Sequence, residues 1–291
     1  MAALGYVLLC LIWGSTWLGI KTGLDAGMPP LLGAALRFAV ATVLLLPFVW
    51  FTARAAFRDR VAWRLAVMLG VCSFGFGYGC TYIGGAYVPS GLGSLTFGMF
   101  PFWVAVLAHF LLGDRLTAGK LLAIAIGLGG VALLYSGSLA ELGPESAYGV
   151  AIITLSVVIQ GFAQIFIKRD GRDVPAAFLS GVSMGFGSVV LALLAGLRGE
   201  WSQPFPWTAP VLGSIAYLAV FGSVVTFLIY YQLLKKLSAT LMAMIALITP
   251  PIAVILGLTF KNERLGAITL SGGAVVLAGV FLFQLAERRA K

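Results

Sequence analysis

Trp13 and Trp17, then Phe74, Tyr78 and Tyr82, then Gln160 and Gln164 recur at intervals of four, which on a helix puts each set on one face. Indole, phenol and amide groups in this pattern recognise a ligand rather than break its bonds: ring faces take apolar groups, and phenols and amides orient polar ones. Bond chemistry needs other constellations. All ten acidic residues, Asp25, Asp59, Asp114, Glu141, Glu145, Asp170, Asp173, Glu200, Glu263 and Glu287, fall between apolar stretches or at their ends. No paired acids and no His/Asp/Cys cluster serve hydrolysis or group transfer, so an enzyme is not expected. Cys10, Cys72 and Cys80 read as small buried hydrophobes with no disulfide and no metal site. Gly75-Phe76-Gly77-Tyr78-Gly79 follows no strand, and no Gly-Lys-Ser/Thr element cradles phosphate. That run and Gly127-Leu128-Gly129-Gly130 therefore predict close helix packing, with no nucleotide and no other cofactor.

The elements that position these residues follow from composition. Of 291 residues, 60% are hydrophobic and 10% charged, and the mean hydropathy is +1.03. A soluble fold cannot hide that much apolar surface. Charges, prolines and turn residues divide the chain into ten apolar spans, near 3 to 22, 31 to 51, 65 to 86, 91 to 112, 118 to 136, 148 to 168, 175 to 197, 211 to 233, 239 to 260 and 265 to 286. Each is about 20 residues, the length of a transmembrane helix. The first span has no Lys or Arg before it and no evident small-residue cleavage site, so it reads as a retained helix and not as a signal peptide.

The net charge of +9 resembles a nucleic-acid signature until its positions are read. With the N-terminus in the cytoplasm, 14 of the 19 cations fall on the inner side, leaving Lys21, Arg37, Arg198, Lys261 and Arg264. This is the positive-inside bias of a multi-pass protein of the cell's inner (plasma) membrane with both termini cytoplasmic. Its expected partners are the lipid bilayer and a small-molecule substrate, with no nucleic acid and a monomeric state left open.

The halves repeat. Residues 76 to 133 match 225 to 282 at a constant offset of 149, pairing Pro101 with Pro250, Asp114-Arg115-Leu116 with Glu263-Arg264-Leu265, and Tyr82 with Tyr231. An offset of 147 pairs Ile12, Gly14, Ile20 and Lys21 with Ile159, Gly161, Ile167 and Lys168. Five spans per half is an odd number, so the second copy enters the membrane from the opposite side. The expected fold is an all-α integral membrane protein of ten transmembrane helices in two inverted five-helix repeats, residues 1–137 and 138–291. Inverted repeats allow inward-open and outward-open states around one midplane site.

Together with the early Ile12-Trp13-Gly14-Ser15-Thr16 segment and a mid-helix proline followed by an acidic turn in each half, this pattern resembles the EamA-type transporters of the drug/metabolite transporter (DMT) superfamily over essentially the whole chain. Within them it looks most like the YddG-like exporters of amino acids and related metabolites. The resemblance implies a central cavity lined chiefly by helices 1, 3, 4, 6, 8 and 9, and no enzyme chemistry.

Through the repeat, Trp13 and Trp17 map onto Gln160 and Gln164, and Tyr78 and Tyr82 onto Phe227 and Tyr231. Lipid cannot satisfy amides and phenols at mid-bilayer, so these eight residues are expected to line the cavity, with Thr16, Phe97 and Trp103 as weaker additions. That lining is mixed and uncharged. Pro101, Pro250 and Pro251 interrupt helices 4 and 9 and are candidate gating hinges, with a static kink as the competing reading. Without a carboxylate inside the bundle, obligatory proton or sodium coupling is disfavoured, and facilitated diffusion or exchange is the default. His109 sits toward the cytoplasmic end of helix 4. Arg37 is expected to snorkel outward or bond loop carbonyls more readily than to bind a substrate carboxylate. The overall expectation is an alternating-access exporter of small neutral or zwitterionic metabolites, foremost apolar or aromatic amino acids. Nucleosides, drugs, sugars and a channel remain alternatives, and the export direction comes from the resemblance alone.

Overall fold

In lipid the backbone finds no hydrogen-bond partner but itself, so long apolar runs close into helices. The computed structural model describes residues 2–234, 242 and 245–289. Among these residues there is no strand, and the helices follow the expected spans to within several residues. They are α1 (Ala2–Asp25), α2 (Pro30–Thr52), α3 (Arg60–Tyr87), α4 (Ser90–Leu112), α5 (Ala118–Leu142), α6 (Pro144–Asp170), α7 (Ala176–Leu197), α8 (Ala209–Tyr230), α9 (Ile245–Phe260) and α10 (Ala267–Arg289). Among the described residues all but α9, whose expected start at 239 lies outside them, are long and apolar enough to cross a membrane.

Several of the acids excluded from the spans act as helix caps. The first turn of a helix leaves backbone N–H groups unpaired and carries the positive end of the helix dipole, so a carboxylate is favoured there. Glu200 accepts from Leu31 N at 3.4 Å and Leu32 N at 2.9 Å at the start of α2. Glu263 accepts from Ser90 N at 2.7 Å and Gly91 N at 3.1 Å at the start of α4. Glu141 accepts from Ile268 N at 2.9 Å in α10, and Asp59 from Val61 N at 2.8 Å in α3. The first two caps each join one half of the chain to the other, and the third joins α5 to α10.

The repeat is visible in atomic detail. Gly113 after α4 has φ 73°, and its mate Asn262 after α9 has φ 50°. Asp114 N reaches back to Ala108 O at 3.3 Å, and Glu263 N to Gly257 O at 3.2 Å, the same bond 149 residues on. The halves also pack reciprocally: α1 lies against α8 and α9, while its mate α6 lies against α3 and α4. The mates α2 and α7 pack on each other, as do α5 and α10. These are two five-helix units of opposite orientation about a common pseudo-twofold axis.

Small residues permit the closest of these contacts. A Cβ on Gly130 would stand 2.6 Å from Val276 N, and one on Gly279 would stand 2.8 Å from Gly127 Cα, against backbone that cannot yield. Gly130→Leu should accordingly destabilise the protein by about 1–3 kcal/mol, read as a lower unfolding temperature of the detergent-solubilised protein. Gly129→Leu should not, since no atom lies within 4 Å of a Cβ there. The run from Gly75 to Gly79 serves the same purpose, with Val190, Gln160 and Leu191 lying where side chains on Gly75, Gly77 and Gly79 would be.

The helices depart from regular α geometry at two kinds of place. α3 widens to a π-helix over Gly70–Gly77 and α8 over Val220–Val225, and the offset of 149 superposes the second on residues 71–76. Such widened turns release backbone carbonyls and concentrate at functional positions. α4 breaks at Gly98–Met99, with Pro101 in the first turn of its second segment, where the missing N–H costs nothing. The expected interruption of α9 is not found: the helix runs on through Pro250 and Pro251.

Candidate functional site

The two halves enclose a cavity of about 600 Å³, within the range of roughly 300–1,000 Å³ usual for small-molecule sites. Trp13, Thr16 and Trp17 from α1, Tyr78 from α3, Phe97 and Pro101 from α4, Gln160 and Gln164 from α6, Phe227 from α8 and Pro250 from α9 all line it. Their rings form a connected wall. Trp13 meets Phe227 edge-on at 6.2 Å, Phe227 meets Phe74 at 5.9 Å, Phe74 stacks on Tyr78 at 5.8 Å, and Trp17 meets Phe97 at 5.9 Å. Helix rotation explains the repeat of faces, since residues four apart advance by about 40° round the helix.

That same rotation removes Tyr82 from the set. By the second step of four from Phe74 it has turned toward α2, where it is fully buried and its hydroxyl accepts from Arg37 Nη1 at 3.4 Å. Trp103 is also off the cavity. Pro101, Val104 and Ala105 face inward, and Trp103, two residues from Pro101, lies roughly 200° away with its Nε1 directed at Met99 Sδ, 3.2 Å off. Pro251 is exposed outside the cavity. The side chain of Tyr231 lies outside the described residues, as do Lys235, Lys236 and Lys291. His109 is exposed, with Nδ1 2.8 Å from Asp114 O at the end of α4, and does not line the cavity.

The wall holds polar groups that sequence reasoning did not select. Ser73, Thr81 and Ser94 line it, and α10 contributes Gln284 and Glu287. Gln160 donates to Ser156 Oγ at 2.9 Å and Thr81 Oγ1 at 3.4 Å, and Ser156 donates at 2.8 Å to the Gly77 carbonyl at the end of the π segment of α3. Arg37 does the equivalent for α8. Its Nε donates to Ser223 Oγ at 3.1 Å and its Nη2 to Gly222 O at 3.1 Å, both in the π segment. Arg37 is 2% exposed and its carbonyl partner belongs to a helix, so it neither snorkels outward nor caps a loop. The signal for Thr81 was present as one residue before Tyr82, on the side of α3 that the i, i+4 reading passed over.

Charge gathers at one end of the cavity. Asp114, Arg115, Lys120, Lys168 and Glu287 line it at the ends of α4, α5, α6 and α10. Lys168 pairs with Asp114, and Lys120 with Glu287 at 3.4 Å. The lining is therefore not uncharged: four cations, counting Arg37, face two carboxylates, and both carboxylates are ion-paired. At the opposite end the helices close together. Asp25 takes Lys21 at 3.1 Å and Lys261 at 2.7 Å, joining α1 to the end of α9, and Glu263 holds the start of α4. Among the described residues no group of acids, histidines and cysteines is arranged to hold a metal ion. This geometry suits a compartment that receives a small solute.

The chain is similar to the uncharacterized transporter YvbV of Bacillus subtilis, 26% identical over 99% of this chain and 93% of that protein. It is similar to the uncharacterized inner membrane transporter YedA of Escherichia coli, 28% identical over 94% and 88%, and to the protein PecM of Dickeya dadantii, 25% identical over 96% and 92%. A crystal structure 20% identical in sequence shares the fold with a TM-score of 0.67, covering 100% of this chain and 98% of its own. The EamA-like transporter family matches twice, over residues 1–136 and 147–285, one match to each five-helix half. With both halves matched and the described helices of both enclosing one cavity, this multi-pass membrane protein is a transporter and belongs to the EamA-like transporter family.

Proposed function

We propose that the protein exports small neutral or zwitterionic metabolites, foremost amino acids with apolar or aromatic side chains, by alternating access. The observation that carries this reading is the cavity wall, where Trp13, Trp17, Tyr78, Phe97 and Phe227 offer ring faces beside the amides of Gln160 and Gln164. An apolar or aromatic side chain gains from the rings, and a polar backbone gains from the amides, inside one site. A lining in which cations outnumber acids disfavours cationic drugs as cargo. The two carboxylates on the lining, Asp114 and Glu287, are both ion-paired with lysines, which favours facilitated diffusion or exchange over a proton or sodium relay.

In the orientation favoured by the distribution of Lys and Arg, both termini are cytoplasmic in the cell's inner membrane, and the mouth at Lys168 and Asp114 faces the cytoplasm. The two halves, residues 1–137 and 138–291, act as the moving units. The break at Gly98–Met99 beside Pro101 and the paired prolines Pro250 and Pro251 serve as bending points. Purified protein in liposomes preloaded with labelled phenylalanine, leucine or tryptophan should give saturable, protein-dependent efflux. Absence of flux for these while nucleosides or sugars are carried would overturn the substrate class.

A further inference from the structure

The buried cation of α2 is not accounted for by the wall just described. Arg37 lines the cavity, is almost entirely buried, and is in no salt bridge among the described residues. A guanidinium cannot escape by losing its proton. An uncompensated charge at this depth costs several kcal/mol, and intramembrane cations are normally paired with acids or with carbonyls. Its neighbours meet that need in part only. Ser223 Oγ, Gly222 O and the more distant Tyr82 hydroxyl take three of its five N–H groups, and the faces of Phe38 and Tyr78 lie 5.1 and 5.3 Å from its Cζ. Two N–H groups remain, and among the described residues no acid pairs with the charge.

We propose that Arg37 is the anchor for a carboxylate on the substrate, which enters the cavity and supplies the missing negative charge. The proposal deepens the reading of the protein as an amino acid carrier and rests on it for the rest of the ligand. The guanidinium offers planar, paired donors, the geometry that a carboxylate accepts in bidentate fashion. One residue apart on α3, Tyr82 bonds Arg37 and Thr81 bonds Gln160, so the cation and the amide flank the same turn of the helix. Gln160 spends its N–H groups on Ser156 and Thr81 and keeps its carbonyl oxygen for a donor such as an α-ammonium. Phe74, Tyr78, Trp13 and Phe227, joined ring to ring, then form the surface against which the ligand's side chain lies. The assignment is asymmetric, since aligning Pro30 with Pro175 ahead of the mates α2 and α7, an offset of 145, places apolar Val182 opposite Arg37. The two halves supply different chemistry to a single site.

The discriminating experiment uses the unmodified protein and four probes, phenylalanine, phenylalaninamide, 3-phenylpropanoate and phenethylamine, as competitors of labelled phenylalanine flux and as stabilisers in thermal unfolding. A carboxylate anchor predicts that phenylalanine and 3-phenylpropanoate act at concentrations about tenfold or more below the amide and the amine, a ratio worth about 1.4 kcal/mol. Arg37→Gln should abolish that preference by raising KM for phenylalanine, and Arg37→Lys should retain part of it, whereas a merely structural arginine would alter yield and stability without changing the ranking of the probes. If phenylalanine is carried and the amide competes equally well, the anchor is wrong and the amino acid reading stands. If 3-phenylpropanoate stabilises the protein and phenylalanine is not carried, the anchor stands and the amino acid reading falls. If neither carboxylate acts, both are overturned.

Discussion

Gln160→Leu should lower the rate of phenylalanine efflux at limiting substrate about tenfold or more while the protein still folds and inserts. The side chain makes two hydrogen bonds, to Ser156 Oγ and Thr81 Oγ1, and each such bond contributes about 0.5–1.5 kcal/mol. Leucine is of similar size, so the wall stays filled and the loss of stability should remain near the sum of those two terms. The effect on the substrate is larger. A polar group entering this part of the cavity trades its water for the Gln160 carbonyl, and with leucine there it finds no acceptor, at a cost of about 1–3 kcal/mol. Loss of that contact should raise KM more than it lowers kcat, because it is made when the substrate binds. Gln160→Glu supplies the converse case: it keeps an acceptor but adds a negative charge and should repel a carboxylate-bearing substrate while favouring amines. Unchanged KM in the leucine variant would remove Gln160 from the site and leave it a brace for the π segment of α3.

How far the sequence discloses such a site depends on which physical signal each residue sends. The ten spans were legible because lipid demands apolar runs of a fixed length, and Ile12 through Lys21 or Tyr78 through Asp114 repeat closely enough to give the inverted pairing. Ring and amide positions at i, i+4 were legible for Trp13, Trp17, Tyr78, Gln160, Gln164 and Phe227, all of which reach the cavity. The same rule misjudged Tyr82, because a spacing of four drifts round the helix and the third residue of a series leaves the face of the first. Trp103 had no such spacing behind it, and because the proline-led segment starts anew at Phe100, register carried across the break at Gly98–Met99 gives no face for it. The π segments left no pattern to read. They depend on what packs against them, such as Ser183 O and Phe186 against Gly70 and Arg37 against Gly222. Arg37 itself was visible as a lone intramembrane cation, but its partners lie 185 and 186 residues away on α8, a distance at which sequence periodicity says nothing.

Removing the fastenings at the sealed end should open the cavity there. Asp25 binds Lys261 at 2.7 Å and Lys21 at 3.1 Å, and Lys21 reaches the Ala86 carbonyl of α3 at 3.4 Å. Glu263 holds two backbone N–H groups of α4. The repeat offers no match for the link between Asp25 and Lys261 at the other end, where those positions become Arg172 and Leu112. Lys168 and Asp114, the mates of Lys21 and Glu263, instead pair with each other. The ends are therefore fastened differently, by the Asp25 link and the Glu263 cap at one and by the Lys168–Asp114 and Lys120–Glu287 pairs at the other, and on the proposed alternating-access reading the first set is a latch that favours closure at its own end. The ion pairs are partly exposed, with 25% and 39% of the Lys261 and Asp25 side chains accessible, so each contributes only about 0.2–1 kcal/mol. The charge-assisted bonds of Glu263 contribute more, about 1.5–3 kcal/mol. Asp25→Asn combined with Glu263→Ala should thus shift the population by roughly 2 kcal/mol, about thirtyfold. With Cys10, Cys72 and Cys80 replaced by alanine and a single cysteine placed at the cavity-lining Ser94, a membrane-impermeant thiol reagent applied from the latched side should react at least tenfold faster in the double variant than in its parent. Substrate should slow that reaction by holding the cavity in the form it binds. Equal labelling rates with and without the latch would mean that closure at this end is held by helix packing alone, and that the acidic caps stabilise the fold without setting the balance between its two open forms.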